Sequence, residues 1–449
     1  MKNQKSLLVF SVCLISLSLL PNFLILLSSA SPESVSSSIL KYQVESVFTG
    51  TIKHSIKLEN PLSQRITDGQ LIVPLIRNET ARHYVIIQSI YPPAGKQISQ
   101  DSSENIYATW TNVIIEGKQS LTVEICYNIL SFSTKYAVNS RLIGDYDKSS
   151  ELYKKYTQPE ELIESNHPRI VSTAKSIIEG VEGTHEKVKS IYNFVVAHLS
   201  YAIQSFERGA LWALENRVGD CSEYSYLFVA LCRAVGIPAK IEAGFGFHSS
   251  NEITENGHMW AEYYLENYGW IPVDATWHLF DKTDAKHFAS LQSIPQKTSY
   301  VNFAFTYSQS YAPTEQQTVT IKPSSASIFK NKPTIDNITA TVWKIKQAKF
   351  VAFLGKMFGS NALFSSETTD VEQKILESEI SLQNAIDLLE KKPQTTQSNL
   401  SLALEKAEEA LENALMTITK ILIIFFGILT AIALGIFIFM RKHGCRTKL

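Results

Sequence analysis

The 449-residue chain has no excess of either charge and few cysteines. Its 42 Lys and Arg against 43 Asp and Glu leave a net charge of −1, which argues against a strongly basic nucleic-acid binder. Charged residues make up only 19% of the chain, below the ordinary level of about 25%. The five cysteines, Cys13, Cys126, Cys221, Cys232 and Cys445, are too few for a disulfide framework. Cys221 and Cys232 fall on one expected helix, roughly 16 Å apart and out of disulfide reach. His248, His278 and His287, with Asp281 and Asp284, lack the His-x-x-x-His or paired-cysteine spacing of a zinc site. There is no D-x-D-x-D-G calcium loop. Gly244-Phe-Gly246 has no third glycine at the dinucleotide spacing and reads as a β bend. No metal and no cofactor is expected.

What is present is apolar and aromatic. Hydrophobic residues reach 45%, with 22 Phe, 19 Tyr and 6 Trp, enough to bury large cores and to exclude general disorder. Part of this excess lies at the two ends. Lys2 and Lys5 precede an uncharged run from Ser6 to Leu27 that closes on Ser28-Ser29-Ala30, so residues 1–30 read as a signal peptide or signal anchor. Ile421 to Met440 is free of charge and as a helix would extend about 30 Å, enough to cross a bilayer. Arg441, Lys442, Arg446 and Lys448 follow, so the tail 441–449 is expected on the cytoplasmic side. The expected topology is a single pass in the cell membrane, with the bulk of the chain outside.

Between the ends the periodicity changes twice. In residues 31–145, Ile52, Ile56 and Leu58 alternate with Lys53, Ser55 and Lys57, and Leu121, Val123, Ile125, Tyr127 and Ile129 alternate with polar neighbours. Period-two patterning with Asn60-Pro61 and Pro92-Pro93 turns predicts an antiparallel β-sandwich. Residues 146–312 read as α+β. Val188, Ile191, Tyr192, Val195 and Leu199 form one helical stripe, and a second helix starts at Cys221 or Ser222 and stops at Gly236 and Pro238. Strands are expected at Ala239–Phe247, His258–Leu265 and Trp270–Asp274. The Pro-, Ser-, Thr- and Lys-rich 313–336 makes 313–366 a linker around one strand. Val371, Ile375, Ser378, Leu382, Ala385 and Leu389, then Leu400, Leu404, Ala407, Leu411 and Ala414, keep heptad spacing. They predict a helical hairpin at 367–419 that runs on as a stalk into the 421–440 span.

One constellation carries chemistry: Gly219-Asp220-Cys221, His258 at the start of a strand, and Asp274 at the end of the next. A thiol at a helix N-terminus meets unpaired N–H groups and the positive end of the dipole, which favour thiolate. The turn Glu266-Asn267-Tyr268-Gly269 brings Asp274 back to the end where His258 lies, so that a carboxylate can orient an imidazole and the imidazole can deprotonate the thiol.

The order of motifs, GDC at a helix start, RAVGIPAK at 233–240, HMWAEYY at 258–264 and GWIPVDAT at 269–276, resembles the transglutaminase-like superfamily, in a membrane-anchored form of prokaryotic type. The resemblance covers roughly residues 150–300. It implies a papain-like α+β core in which Cys221 is the nucleophile, His258 the general base and acid, and Asp274 the orienting group. The Cys221 N–H would be the first oxyanion donor. Trp212 or Tyr201 are candidates for the second, and Trp260 is a candidate for shaping the groove. Lys240 stands where the family more often has Arg. The implied activity is acyl transfer from protein or peptide amides through a thioester, to water or to an amine. The alternative is a non-catalytic cell-surface binding or adhesion protein on the same scaffold. Oligomeric state is not encoded in any motif.

The topology has a direct test. Protease added to intact cells is expected to digest the region 31–419 and to spare a tag placed after Leu449; digestion of that tag would reverse the orientation.

Overall fold

A computed structural model describes residues 39–93, 95–293 and 302–443. The leader assigned to residues 1–30 and the tail beyond 443 lie outside the described residues.

Six strands come first: β1 (Tyr42–Glu59), β2 (Ile66–Pro74), β3 (His83–Tyr91), β4 (Lys96–Gln100), β5 (Ile106–Ile115) and β6 (Ser120–Tyr136). The alternation seen in the sequence decides which way β1 and β6 face. Ile52, Ile56, Leu58, Val123, Ile125, Tyr127 and Ile129 are buried, while Lys53 and Glu124 pair on the other face. β1 and β6 pair antiparallel along nearly their whole length. A second sheet, built on β2, β5 and β4, supplies Leu71, Val73 and Trp110 to the same core.

After a short helix at Glu151–Tyr156, the central α+β region continues with helices α1 (Pro168–Ile177) and α2 (Thr184–His198). The short strands β7 (Ser200–Tyr201) and β8 (Val218–Gly219) flank α3 (Ala210–Asn216) and lead into α4 (Cys221–Ala234). There follow β9 (Ala239–Gly246), β10 (Glu252–Thr254), β11 (His258–Leu265), β12 (Gly269–Asp274), β13 (Leu279–Phe280), β14 (Lys282–Thr283) and β15 (His287–Gln292). The sheet order is β13-β12-β11-β9-β15. Helix α4 lies on it, with Tyr226, Leu227, Phe228 and Leu231 fully buried against Ile241, Ala261 and Tyr263. The Arg233 guanidinium near the end of α4 holds Glu160 and the Ala239 carbonyl, which fixes the turn into β9.

Residues 313–366, expected as a linker, are regular structure. After β16 (Ala304–Thr306) comes β17 (Thr314–Pro323), which pairs with β1 over ten residues from Gly50–Pro323 to Glu59–Thr314, while β16 extends the second sheet beside β2. The sandwich is therefore completed by chain from beyond the α+β region. Helix α5 (Lys332–Met357) follows. The composition that suggested a linker hides Val319 and Ile321, which are fully buried, and an Ile335, Ile338, Val342, Ile345 stripe at helical spacing. Pro333 sits in the first turn of α5, where a missing N–H costs no hydrogen bond.

The heptad segments form α6 (Ser365–Asp387) and the start of α7 (Pro393–His443), and α5 packs against both. With two neighbours instead of one, α7 turns a different edge inward. Leu400, Ala407 and Ala414 are buried as expected, but Ala403 and Ala410 take the places assigned to Leu404 and Leu411, which are only half-buried. The helices are also docked on the β-sandwich. Tyr84, Leu130 and Phe132 share a core with Ile338, Leu382, Ile386 and Leu400, and the Tyr42 hydroxyl donates to Asp387 at 2.6 Å. Beyond Ile421 the apolar half of α7 is exposed all round, and it is the one described helix long and apolar enough to cross a membrane.

This docking makes Leu382 a shared core residue. Leu382→Ala should cost about 2–5 kcal/mol, the usual range for emptying such a site. It should lower the denaturation midpoint of the full chain in detergent and expose the β-sandwich to limited proteolysis; an unshifted midpoint would show that sheet and helices do not share this core.

Candidate active site

The site begins with the cap of α4. Asp220 is the N-cap: its Oδ1 accepts from the Ser222 N–H at 3.1 Å, while the Asp220 N–H donates to Glu223 Oε2 at 3.0 Å. This reciprocal capping box is legible as D-x-x-E at 220–223. Asp220 Oδ2 also accepts from the Gln204 N–H at 2.9 Å, and Glu223 Oε1 from the Arg208 N–H at 2.8 Å. The loop 202–208 is thus tied to the helix tip. Cys221, first residue of the helix and half-exposed, presents an N–H that no intrahelical acceptor can use. Cys232 lies deep in the core, where burial pushes its thiol well up.

The imidazole is set by β-sheet register. Ala261 pairs with Val273, so Trp260 and Asp274 follow as neighbours, and His258 lies two residues further along the same face. The His258 Nε2 meets Asp274 Oδ2 at 2.7 Å, and its ring faces the same groove as the Cys221 side chain. Burial alone would lower the His258 pKa, but the adjacent Asp274 carboxylate outweighs it and holds it at about 9. Asp274 is also desolvated, yet His258 and His287 keep it far below the usual carboxylate range. Its second oxygen, Oδ1, accepts from the Thr276 N–H at 2.9 Å, the Thr276 hydroxyl at 2.5 Å and the Trp277 N–H at 3.0 Å.

Sequence reasoning missed His287 as a member of this site. It stands on β15, with Nε2 3.2 Å from Asp274 Oδ2 and Nδ1 2.7 Å from Asp284 Oδ1. Strand β9 runs between β11 and β15, with Gly244 opposite His258 and Gly246 opposite His287. A Cβ on Gly246 would stand 2.9 Å from the His258 ring and 3.0 Å from Trp277. The pair Gly244-x-Gly246, read above as a bend, lies instead within a regular strand and clears the face on which the two imidazoles approach one carboxylate. That strand glycine pair was the available signal.

The three other candidates separate. Trp260 is buried beside both rings, its centroid 5.9 Å from His258 and 5.1 Å from His287. Trp277 lies closer, at 4.7 and 4.6 Å. Tyr201 is exposed next to Gly219, near the helix tip. Trp212 sits under the Arg208 guanidinium at 5.2 Å and does not line the groove. The groove, about 420 Å³, is lined by Gln204, Phe206, Cys221, His258, Phe303 and Glu315, among others. Its wall therefore includes residues of β17 and of the segment before β16.

Two groups among the described residues could converge on a cation. The first, His258, Asp274 and His287, is joined by the hydrogen bonds above. In the second, the buried carboxylates of Glu79, Glu242 and Glu262 are engaged by Arg77, Arg82 and Lys240. Lys240 reaches Glu242 at 2.6 Å and Glu262 at 3.0 Å, so the lysine in the Gly-Ile-Pro motif keeps a buried ion pair.

A cysteine at a helix tip, an imidazole on the facing sheet and a carboxylate behind it define a papain-like arrangement. Residues 171–275 match the family model of the transglutaminase-like superfamily, a span that ends one residue after Asp274, and the chain contains a transglutaminase-like core. It is 21% identical over 269 residues to the uncharacterized protein YebA of Bacillus subtilis, covering 52% of this chain and 36% of that protein. An uncharacterized protein of Haemophilus influenzae is 36% identical over 76 residues, covering 13% of this chain and 21% of its own length. The chain thus spans about a third of the first relative and a fifth of the second. Among solved structures it is similar to a proposed cysteine protease of Cytophaga hutchinsonii, with TM-score 0.45 and 15% identity over 63% of this chain and 100% of that one. The periplasmic domain of TgpA from Pseudomonas aeruginosa gives TM-score 0.27 and 15% identity, over 54% of this chain and 98% of that one.

The charges at Asp274 give stability a pH signature. His258 and His287 rise from 6.5 to about 9, so their contribution is complete below pH 6.5 and lost as pH rises through about 9. The Asp274 contribution is complete above its ordinary value of 3.8 and lost only in stronger acid. The gap in thermal midpoint between the wild type and Asp274→Asn should therefore be widest between those two ordinary values and shrink through pH 9. A gap constant from pH 5 to 10 would contradict the ion pairing.

Proposed function

We propose that the chain is a membrane-tethered, extracytoplasmic cysteine enzyme that acts on protein or peptide amides through a thioester at Cys221. The observation that carries this is the His258 imidazole, set between the Cys221 side chain and the Asp274 carboxylate in an open groove. His258, having taken the thiol proton, stands as an imidazolium beside Asp274 while the sulfur attacks the amide carbon. The tetrahedral oxyanion forms within reach of the Cys221 N–H, and His258 returns the proton to the leaving amine as the C–N bond breaks. Water or a second amine then attacks the thioester and releases the sulfur. Water gives peptidase or amidase activity, and a lysine amine gives crosslinking.

The long apolar helix with Arg441 and Lys442 at its end supports the tether and its orientation. The division proposed for the chain is a leader at 1–30, a sandwich from 39–145 plus 304–323, a catalytic core within 146–293, a docked bundle of 332–419, and one span at 421–440.

A non-catalytic binding protein on this scaffold would need no activated thiol. Alkylation followed by mass spectrometry separates the two readings, since a catalytic Cys221 should react far faster than Cys126 or the buried Cys232. In a peptide-cleavage assay with and without an amine donor, Cys221→Ala and His258→Ala should each lose roughly a thousandfold or more of kcat/KM. Asp274→Asn should fall between them and the wild type, because the nucleophile and base remain. Cys232→Ala should keep kcat/KM and change only stability. Full activity in Cys221→Ala would end the thioester mechanism.

A further inference from the structure

The Asp274 carboxylate faces two histidines, and the mechanism above uses one. The second, His287, is 5% exposed, and each of its ring nitrogens points at a carboxylate oxygen: Nε2 at Asp274 Oδ2, 3.2 Å, and Nδ1 at Asp284 Oδ1, 2.7 Å. A neutral imidazole has one N–H and one lone pair. In this setting the lone pair would face an anion without a proton between them, so the geometry selects the doubly protonated ring. Asp284 is held for this task, its Oδ1 also accepting from the Lys286 N–H at 2.8 Å.

We propose that His287 is a positioning residue of the active site, an imidazolium clamped between Asp274 and Asp284 that fixes the Asp274 carboxylate and sets the local charge under which His258 and Cys221 exchange a proton. This rests on the thioester reading given above. The charged and titratable groups around the His287 ring are Asp274 from β12, His258 from β11 at 5.4 Å between ring centroids, and Asp284 with Lys286 from the turn before β15. Strand β9 presents glycine to it, and Trp260 and Trp277 cover its remaining surface. Asp274 between two imidazolium ions, with Asp284 behind the second, makes a buried row of alternating sign. Removing the His287 charge leaves Asp274 to act on His258 alone. The site then becomes more negative, and the negative thiolate forms less readily.

The experiment follows the alkylation rate of Cys221 against pH in the full chain in detergent, read by mass spectrometry of the Cys221 peptide, for the wild type, His287→Gln, His287→Ala and Asp284→Asn. His287→Gln keeps a donor for Asp274 and loses the charge. Its profile should move to higher pH by about one unit, the size expected for losing one nearby buried charge, with His287→Ala moving at least as far. Asp284→Asn should move the opposite way by less, since a negative charge is lost while Asp274 still holds the His287 proton. In the peptide assay kcat should fall and KM should hold. Profiles that superimpose on the wild type in both His287 variants, with circular dichroism unchanged, would overturn the proposal and leave the triad intact. A wild-type Cys221 that titrates like an ordinary exposed thiol would overturn the triad and this proposal with it.

Discussion

A carboxylate that is 3% exposed governs the site. A buried anion is tolerated only when its lone pairs are filled by donors or opposite charge. Asp274 has five such partners: two from Thr276, one from Trp277 and one from each of two histidines. Each imposes something on the chain. The Thr276 and Trp277 contacts shape the turn that leaves β12. The His258 contact requires the register of β11 on β12. The His287 contact requires β15 on the far side of β9, and a β9 that carries glycine where the rings converge. The cap on Cys221 is a separate piece of work, done by Asp220 and Glu223, but its outcome points at the same place.

Much of this was legible in sequence, for identifiable reasons. The helix from Cys221, the strand from His258 and the strand that ends at Asp274 are encoded locally, by a D-x-x-E cap, a Gly-Ile-Pro stop and a four-residue turn. Local signals of that kind survive without knowledge of the fold. His287 carries none. Its partner Asp274 is 13 residues away through a segment with only the two-residue strands β13 and β14, and the two meet because β15 pairs with β9. The stretch 313–366 failed for a related reason. β17 shows only Val319 and Ile321 as inward apolar residues, and what makes it a strand is ten paired residues on β1, more than 250 positions earlier.

That long-range pairing matters for the groove. Because β17 lies on β1, its residues Glu315 and Gln317 stand beside Cys221 and His258 in the groove wall. The sandwich is therefore part of the groove wall, and not a spacer before the core. Arg77 from the turn after β2 reaches Glu242 on β9, and Arg82 reaches Glu262 on β11. Glu242 and Glu262 also share Lys240. Buried ion pairs of this kind are costly to separate, because each partner would be left as an uncompensated charge. They join the sandwich to the five-stranded sheet of the α+β region.

The helices extend the same rigidity away from the site. α5, α6 and the first half of α7 share a core with Tyr84 and Phe132 of the sandwich, and α7 continues as a single helix of 51 residues, about 75 Å long. No loop separates its docked half from its apolar half. A flexible linker would let a catalytic head sample every orientation above a bilayer, whereas a continuous helix passes its direction on to whatever is packed against it. The sandwich that shares its core with the docked half therefore keeps a fixed direction relative to the apolar half.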